Sequence, residues 1–335
     1  MFDAATQRRL VGGANLAPSV HNTQPARWCF EADGSIALLA DPARRLAVGD
    51  PEGRDLAVSC GAALEGMLIT LAELGLGAGT IAEVDEDGPG GLRRLARFEV
   101  TEGTQPSGMA EALRSRVTWR APFLAVETSK ARDLQTWAGE RPDVTLVAAP
   151  EHRAFLAGLA DEASLHLLRD RAFRLELLSW MRLSRSDPAY GEDGMNLDAL
   201  HLSPIEGFLA RQVMGGGLFS LVDRLKLAPA LFGERGKTLS AAGIVLFHRP
   251  FEETALQSGR AFHRCWLELT RVGLSAWPMA VLADDPDCAG ECRRRFGIGD
   301  GRRLINALRV GRAGGTVGKA RLKAESLLVD LTGVG

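Results

Sequence analysis

Two short stretches of the chain concentrate side chains able to hold an anion or to frame a planar ligand. The first, RSRVTWRAPF at residues 114–123, sets Arg116, Thr118 and Arg120 at alternate positions of an extended run, so their side chains can share one face. Two guanidiniums and a hydroxyl on one face make a phosphate cradle, because arginine meets phosphate with paired donors. A solvated edge strand would carry the same residues, since of the 40 basic residues only 5 are Lys. The second stretch is APSVHNTQPARW, residues 17–28. There Pro18 and Pro25 restrict the backbone, while Ser19, His21, Asn22 and Gln24 supply hydrogen-bonding groups within a few positions. On residue types alone it reads equally well as a polar loop capping a helix.

The elements that must position these stretches follow from periodicity. A helix over 3–16 and a strand near 27–31 flank the second stretch, and a strand near 35–40 follows. Leu56, Cys60, Ala63, Leu64, Met67, Leu71 and Leu74 recur at spacings of three and four, giving a long helix over 53–75 with Gly75 as its C-cap. An alternating strand over 95–100 runs into turn formers at 101–109, a seam between two lobes. Beyond the seam the pattern predicts a helix (128–139), a strand (144–148) and a long helical stretch (151–182). A polar, Gly-rich excursion (184–240) with partial helices at 205–213 and 218–232 comes next. A strand (242–248), a helix (255–273) and a strand (304–310) complete the chain.

The second long helix repeats the first. Residues 61–82 align with 259–280 without a gap, with identities at Gly61/Gly259, Ala63/Ala261, Leu71/Leu269, Gly75/Gly273, Leu76/Leu274, Ala78/Ala276 and Ala82/Ala280. Shared leucines follow from any two amphipathic helices, but the shared Gly-Leu-x-Ala exit points to an internal duplication.

Composition narrows the class. The chain has 335 residues, 46% hydrophobic and 24% charged, with a net charge of −2; that is ample for a large core, and nothing in it suggests a nucleic-acid or membrane partner. No apolar h-region opens the chain and no run looks long enough to span a bilayer, so a soluble cytoplasmic protein is expected. The 5 cysteines are an odd number scattered along the chain, against a disulfide framework. Cys288 and Cys292 form a lone CAGEC without further ligands, read as reduced thiols in or beside a turn rather than a metal site. GLGAG at 75–79 follows a helix, whereas a dinucleotide loop follows a strand. The 6 His are dispersed, and no G-x-S-x-G elbow occurs.

The string A-P-S-x-x-N-x-Q-P, Ala17 to Pro25, resembles a characteristic motif of the FMN-dependent nitroreductase family. In that family this loop lies over the flavin ring and comes from the partner subunit of a homodimer. Here Ala26 follows the proline, where the family often has Trp, and Trp28 stands two residues later. Arg116-x-Thr118-x-Arg120 resembles the family's R-x-[S/T]-x-[R/K] phosphate element. In ordinary members that element precedes the ring-covering loop; here it follows it. The inverted order resembles the fused, Acg-like branch, in which one chain imitates the dimer and two lobes compose one complete site.

GLSAWPMA, residues 273–280, resembles the family's exit toward the flavin, which makes Pro278, Met279 and Ala280 candidate ring contacts. The terminal LRVGRAGGTVGKARLK resembles the family's last strand and basic follow-up, with Arg309 and Gly311 at the strand end and Lys319 and Arg321 as phosphate partners. The resemblance therefore implies an α+β, nitroreductase-like fold of two tandem lobes forming a pseudo-dimer, each a mainly antiparallel sheet flanked by helices. It implies lobes at 1–108 and 109–335, one FMN, NAD(P)H as co-substrate, and a small electron acceptor such as a nitroaromatic or quinone. Pro18, Ser19, His21, Asn22 and Gln24 would frame the ring, while Arg116, Thr118, Arg120, Lys319 and Arg321 would hold the phosphate. A fused pair needs no partner subunit, so a monomer is expected, with a homodimer as the other possibility. The excursion at 184–240 is read as a lid, and a lid that excludes the nicotinamide donor would instead make the chain a flavin-sequestering protein.

Overall fold

The computed structural model describes residues 2–329. Helix α1 (Ala4–Ala14) begins where the Asp3 carboxylate accepts from the Thr6 amide at 2.7 Å, satisfying a donor the helix leaves orphaned. A loop leads into the hairpin of β1 (Ala26–Phe30) and β2 (Ser35–Ala40), with Ala26 opposite Ala40. Then come α2 (Arg54–Ala72), β3 (Leu76–Ala78), β4 (Ala82–Asp87) and β5 (Arg93–Glu102). The sheet has the order β1-β2-β5-β3, with β4 also paired to β5, and every pairing is antiparallel.

The second lobe opens with α3 (Ala110–Ser115), α4 (Thr128–Gly139) and β6 (Val144–Val147). The chain then leaves the sheet for a mostly helical insert. It comprises α5 (Pro150–Arg169), α6 (Arg171–Ser179), the two-residue strands β7 (Met181–Arg182) and β8 (Met195–Asn196), and α7 (Leu197–Leu200). It continues through α8 (Pro204–Gly215), α9 (Leu218–Arg224), α10 (Ala228–Phe232) and α11 (Arg235–Ser240). The lobe resumes with β9 (Gly243–Pro250), α12 (Ala255–Arg271), β10 (Ser275–Pro278), α13 (Val281–Asp284), α14 (Pro286–Phe296) and β11 (Arg302–Gly311). Its sheet order is β6-β9-β11-β10, all antiparallel. Leaving out β4, both sheets run first, second, last, third strand, so the lobes share one topology.

The lobes meet where α2 crosses α12. A methyl group added at Gly61 would be driven into the carbonyl of Leu256, and one added at Gly259 into the carbonyl of Val58. Each glycine lies three residues beyond the carbonyl that the other approaches, so the crossing is two-fold symmetric about the aligned pair Gly61/Gly259. Only glycine permits so close a backbone approach. The buried Glu65 carboxylate ties the helices further, accepting from Arg264 at 2.5 Å and from Arg260 at 3.4 Å. Past both helices the backbone turns through left-handed glycines, Gly75 (φ 73°) and Gly273 (φ 80°), into β3 and β10.

Four expectations are corrected. Helix α2 is long and apolar enough to cross a membrane, with mean hydropathy 1.5; here it is the core helix of the first lobe, packed by α1, α12 and β2. The stretch at 151–182 is two helices, because the Asp170 carboxylate caps a new one by accepting from the amides of Ala172 and Phe173. The region 184–240 is more helical than expected: the partial helices at 205–213 and 218–232 are present as α8, α9 and α10, and α7 and α11 add to them. Its helices are short, interrupted by Gly215–Gly217 and by the left-handed Lys226 (φ 58°), and they expose Ile205, Phe208, Leu209, Leu221 and Leu225. Cys288 and Cys292 lie buried in α14 and not beside a turn. Apart from these corrections, residues 116–120 belong to no regular strand, and Thr118 makes a single bridge to Ala276. After that bridge and β11, the tail from Ala320 returns to the first lobe, where Leu327 joins its core and the Val329 amide donates to Trp28 O at 2.8 Å.

Candidate functional site

A cavity of about 700 Å³ opens between the lobes, walled by α2 and α12, by β10 and β11, by the loop after α1, by the tail, and by the insert. Its walls include Pro18, Ser19, His21 and Asn22 from the first lobe, and Arg116, Thr118 and Arg120 from the stretch after α3. Pro278, Met279 and Ala280 from the end of β10, and Lys319 and Arg321 from the tail, complete the list of candidates that line it. Gln24 does not. Its side chain is buried away from the cavity, and all of its hydrogen-bonding capacity goes to scaffold. Gln24 Oε1 accepts from Asn15 Nδ2 at 2.9 Å and from the Leu322 amide at 2.8 Å, and Gln24 Nε2 donates to Glu192 O at 2.8 Å.

Gln24 belongs to a hub that joins the loop, the tail and the insert. Asn22 Nδ2 donates to Gly194 O and Ala320 O, and Asn22 Oδ1 accepts from Arg321. Arg44 donates to Thr23 O at 2.7 Å and pairs with Asp193, which also binds Arg182 at 2.6 Å. The hub sustains an uncommon backbone: His21 (φ 45°), Asn22 (φ 59°) and Gln24 (φ 53°) are all left-handed. Each costs roughly 1 kcal/mol or more in a residue bearing a Cβ, so the loop's shape depends on these hydrogen bonds. Ser59 on α2 anchors it from below, accepting from the Val20 amide at 3.2 Å.

One end of the cavity is cationic. Arg116 and Arg321 both donate to the carbonyl of Leu16, at 2.8 and 3.3 Å, which sets the two guanidiniums side by side. Lys319 donates to Arg114 O close by. None of the three forms an ion pair among the described residues, and the Nε atoms of Arg116 and Arg321 are buried without partners. Burial pushes all three down, helped at Arg116 and Lys319 by the neighbouring cations, Arg116 to about 9, Arg321 to about 10 and Lys319 to about 8. The Arg116 guanidinium lies 4.7 Å from the Trp266 ring centroid, an aromatic contact that offsets part of its desolvation. Crowded, unpaired and partly orphaned cations are what a bound phosphate would satisfy.

Lys319 makes that pole pH-dependent. Its proton is held more weakly than in the unfolded chain, so this group's contribution to stability rises as pH climbs from about 8 toward the ordinary lysine range. Anion binding has the opposite sign, because the ligand prefers the protonated form. Equilibrium dialysis of a phosphate monoester should show affinity falling by up to about tenfold per pH unit above about 8, and a flat profile to pH 9.5 would remove Lys319 from the pole.

Elsewhere the cavity is aromatic and apolar. Phe262 and Trp266 of α12, with Val58 and Ala62 of α2, line it from the lobe interface, and Leu168, Met214 and Phe232 line it from the insert. His21 faces the cavity with its pKa pushed down to about 4 by burial and by Arg120, so it is neutral at pH 7 and carries no proton to donate as an imidazolium. At the far side Asp55 and Asp284 are held above the usual carboxylate range by burial, with Arg54 between them. Sequence reasoning missed Trp266, Phe262, Asn15, Arg44 and Glu234. Core aromatics and an ion pair 75 residues apart in the chain, Arg309 with Glu234, leave no local spacing by which to find them.

No protein-family model matches the chain. It is 33% identical over 280 residues to "Putative NAD(P)H nitroreductase acg" of Mycobacterium tuberculosis, covering 80% of this chain and 78% of that protein. It is also 45% identical over 73 residues to "Putative NAD(P)H nitroreductase Rv3131" of the same organism, a match spanning 21% of that protein's length. Among solved structures, the FMN-dependent nitroreductase NfnB of Mycobacterium smegmatis, crystallised with NADPH, aligns at 18% identity. That alignment covers 62% of this chain and 89% of NfnB with a TM-score of 0.35, too distant to bear on the site.

Proposed function

Because the chain belongs to the Acg-like nitroreductase family, we propose that its cavity holds one FMN and that the protein is an NAD(P)H-dependent flavin oxidoreductase. The observation that carries this reading is the cluster of Arg116, Lys319 and Arg321, unpaired with any carboxylate, at one end of a cavity built from both lobes. When bound, FMN supplies the redox chemistry, accepting a hydride equivalent from NAD(P)H and then reducing a small acceptor such as a nitroaromatic or quinone by ping-pong exchange.

The residues of this chain supply position and charge. Arg116, Lys319 and Arg321, with Thr118 beside them, hold the phosphate. Arg120 faces the same cavity but feels Glu234 and Arg309 as well as Arg116, so it belongs to the opposite wall as much as to the cradle. Pro18, Ser19, His21 and Asn22 frame the ring from the first lobe, and Pro278, Met279 and Ala280 approach it from the second. Solvent serves as the proton source, since flavin chemistry needs no dedicated acid–base residue. The same reading takes 1–108 and 109–335 as the two lobes, the second lending its tail from Ala320 to the first, of a monomeric, soluble cytoplasmic protein that needs no nucleic acid, membrane or second chain.

The insert favours a second reading, flavin sequestration. Met195, Ala199, Leu200 and Phe232 wall the cavity, and residues 191–194 are hydrogen-bonded to the ring-framing loop and the tail, so the insert covers part of the cavity and is tied to its other walls. Two measurements decide. The visible spectrum of the purified or FMN-reconstituted protein should show about one flavin per chain, and a colourless protein would sink both readings. Steady-state NAD(P)H oxidation by the flavin-loaded protein then separates them: sustained turnover excludes sequestration, and bound flavin without turnover excludes the reductase.

A further inference from the structure

The cavity has a second cationic wall, which shares only Arg120 with the phosphate cradle. Arg309 on β11 pairs in register with Trp277 on β10, and its guanidinium lies 3.8 Å from the indole centroid. Its side chain is only 4% exposed and faces the cavity. The Glu234 carboxylate accepts from Nη2 at 2.5 Å, yet Nη1 and Nε are buried with no partner. A guanidinium in so dry a place ordinarily satisfies its whole donor set, because each orphaned donor costs free energy.

The surroundings are short of negative charge. Arg120 lines the same wall, and Lys237 Nζ lies 5.1 Å from the Trp277 ring centroid. Burial and the Arg309 charge push Arg120 down to about 10 despite Glu234. His201, edge-on to Trp119 at 4.6 Å, is pushed below its usual range by burial, Lys237 and Arg120, and so adds no charge. Among the described residues, Glu234 alone stands against these three cations as a paired carboxylate. Asp161 also reaches the cavity, but both its oxygens accept from the Glu234 and Arg235 amides. Glu234 itself comes from the insert, just before α11, and its side chain is one-third exposed.

We propose that Arg309 and Arg120, with the charge of Lys237 beside the Trp277 ring, form a second anion-binding pole, which takes the carboxylate or phosphate of the ligand exchanged in turnover, with Glu234 occupying that place when no ligand is present. Displacing Glu234 would loosen one tie between insert and core, so the charge of the incoming ligand selects it and eases the cover. The proposal rests on the flavin reading for the ligand's role, but not for its charge. An aromatic acceptor bearing a carboxylate and a donor bearing a ribose phosphate present the same chemistry to these cations, and their sources can be told apart by titration.

The test is calorimetric titration of the FMN-saturated full chain with two matched pairs, benzoate against benzamide and adenosine 2′-phosphate against adenosine. The charged member of one pair should bind about tenfold more tightly or better, as expected of a charge-assisted contact in a dry site. The favoured pair identifies the acceptor or the donor as the anion's source. Arg309→Gln should erase the preference, and Glu234→Gln, which removes the competing carboxylate, should strengthen charged-ligand binding severalfold. No charge preference in either pair, or a preference that survives Arg309→Gln, overturns the proposal. Should Arg309→Gln fail to fold, Glu234→Gln decides alone, and unchanged affinity overturns it. A chain that takes up no FMN fails the flavin reading only. On the flavin-free chain the readout is the change in charge preference caused by Arg309→Gln, since the empty cradle of Arg116, Lys319 and Arg321 contributes equally to both proteins, and no change overturns the proposal.

Discussion

Replacing Arg116 with methionine should lower FMN affinity by at least about a hundredfold while leaving the flavin-free protein as stable as before, or more so. The two effects have opposite signs because Arg116 is costly until an anion arrives. Its side chain is buried, its Nε has no partner, and burial followed by the charges of Arg321 and Arg120 brings its pKa down to about 9. A folded-state pKa below the unfolded one means that the charged form is penalised in the native state at neutral pH. Methionine keeps a flexible apolar stem against Trp266 and removes the charge. The Leu16 carbonyl keeps Arg321 as a donor, so no acceptor is orphaned. With phosphate bound the balance reverses, since a buried charge-assisted contact is worth about 3 kcal/mol or more and its loss strands the other partner. Thermal denaturation with and without FMN measures both sides. A flavin-free protein that melts well below wild type, with undiminished FMN affinity, would make Arg116 a structural residue and remove the main support for the cradle.

What the sequence discloses divides along physical lines. The strand 35–40 and the helix 128–139 were readable to the residue, because alternation and amphipathic spacing report burial directly. The gapless match of 61–82 with 259–280 was readable because glycine at a crossing and glycine after a helix admit few substitutes. Beyond Gly79 and Trp277 the two lobes diverge, one entering β4 and the other α13, and the match carries no information there. The insert was read only in part, its helices at 205–213 and 218–232 but not α7 or α11, and for a definite reason. Its short helices turn many apolar residues outward, so composition and period both mislead. A glutamine in a polar loop can point into a ligand site or satisfy its own scaffold. Spacing cannot separate the two, and the partners that settle Gln24, Leu322 and Glu192, lie far along the chain. Arg309 was legible only as a strand end, since its burial is set by register with Trp277 and by a carboxylate from the insert.

Gly61→Ala and Gly259→Ala should each destabilise the protein by about 3 kcal/mol, the upper part of the range for overpacked cores. The added methyl meets the backbone carbonyl of Leu256 in one case and of Val58 in the other, and the next neighbours are main-chain atoms too. A side chain could rotate aside, but two helix backbones can relieve the overlap only by moving apart. Gly12, inside α1 with nothing within 4 Å of an added Cβ, is the control; alanine there should be neutral or stabilising by up to about 1 kcal/mol from helix propensity alone. Denaturant unfolding of the three variants and the double mutant checks this. The two crossing substitutions share one interface, so their effects should fall short of additive: once the first has parted the helices, the second finds room. The consequence reaches the cavity, because Val58, Ser59 and Ala62 on α2 and Phe262 and Trp266 on α12 line it from either side of the crossing. FMN retention should therefore fall in Gly61→Ala and Gly259→Ala even at temperatures where both remain folded, and should be unchanged in Gly12→Ala. Full additivity together with normal FMN retention would mean that the crossing holds the lobes together without setting the shape of the site between them.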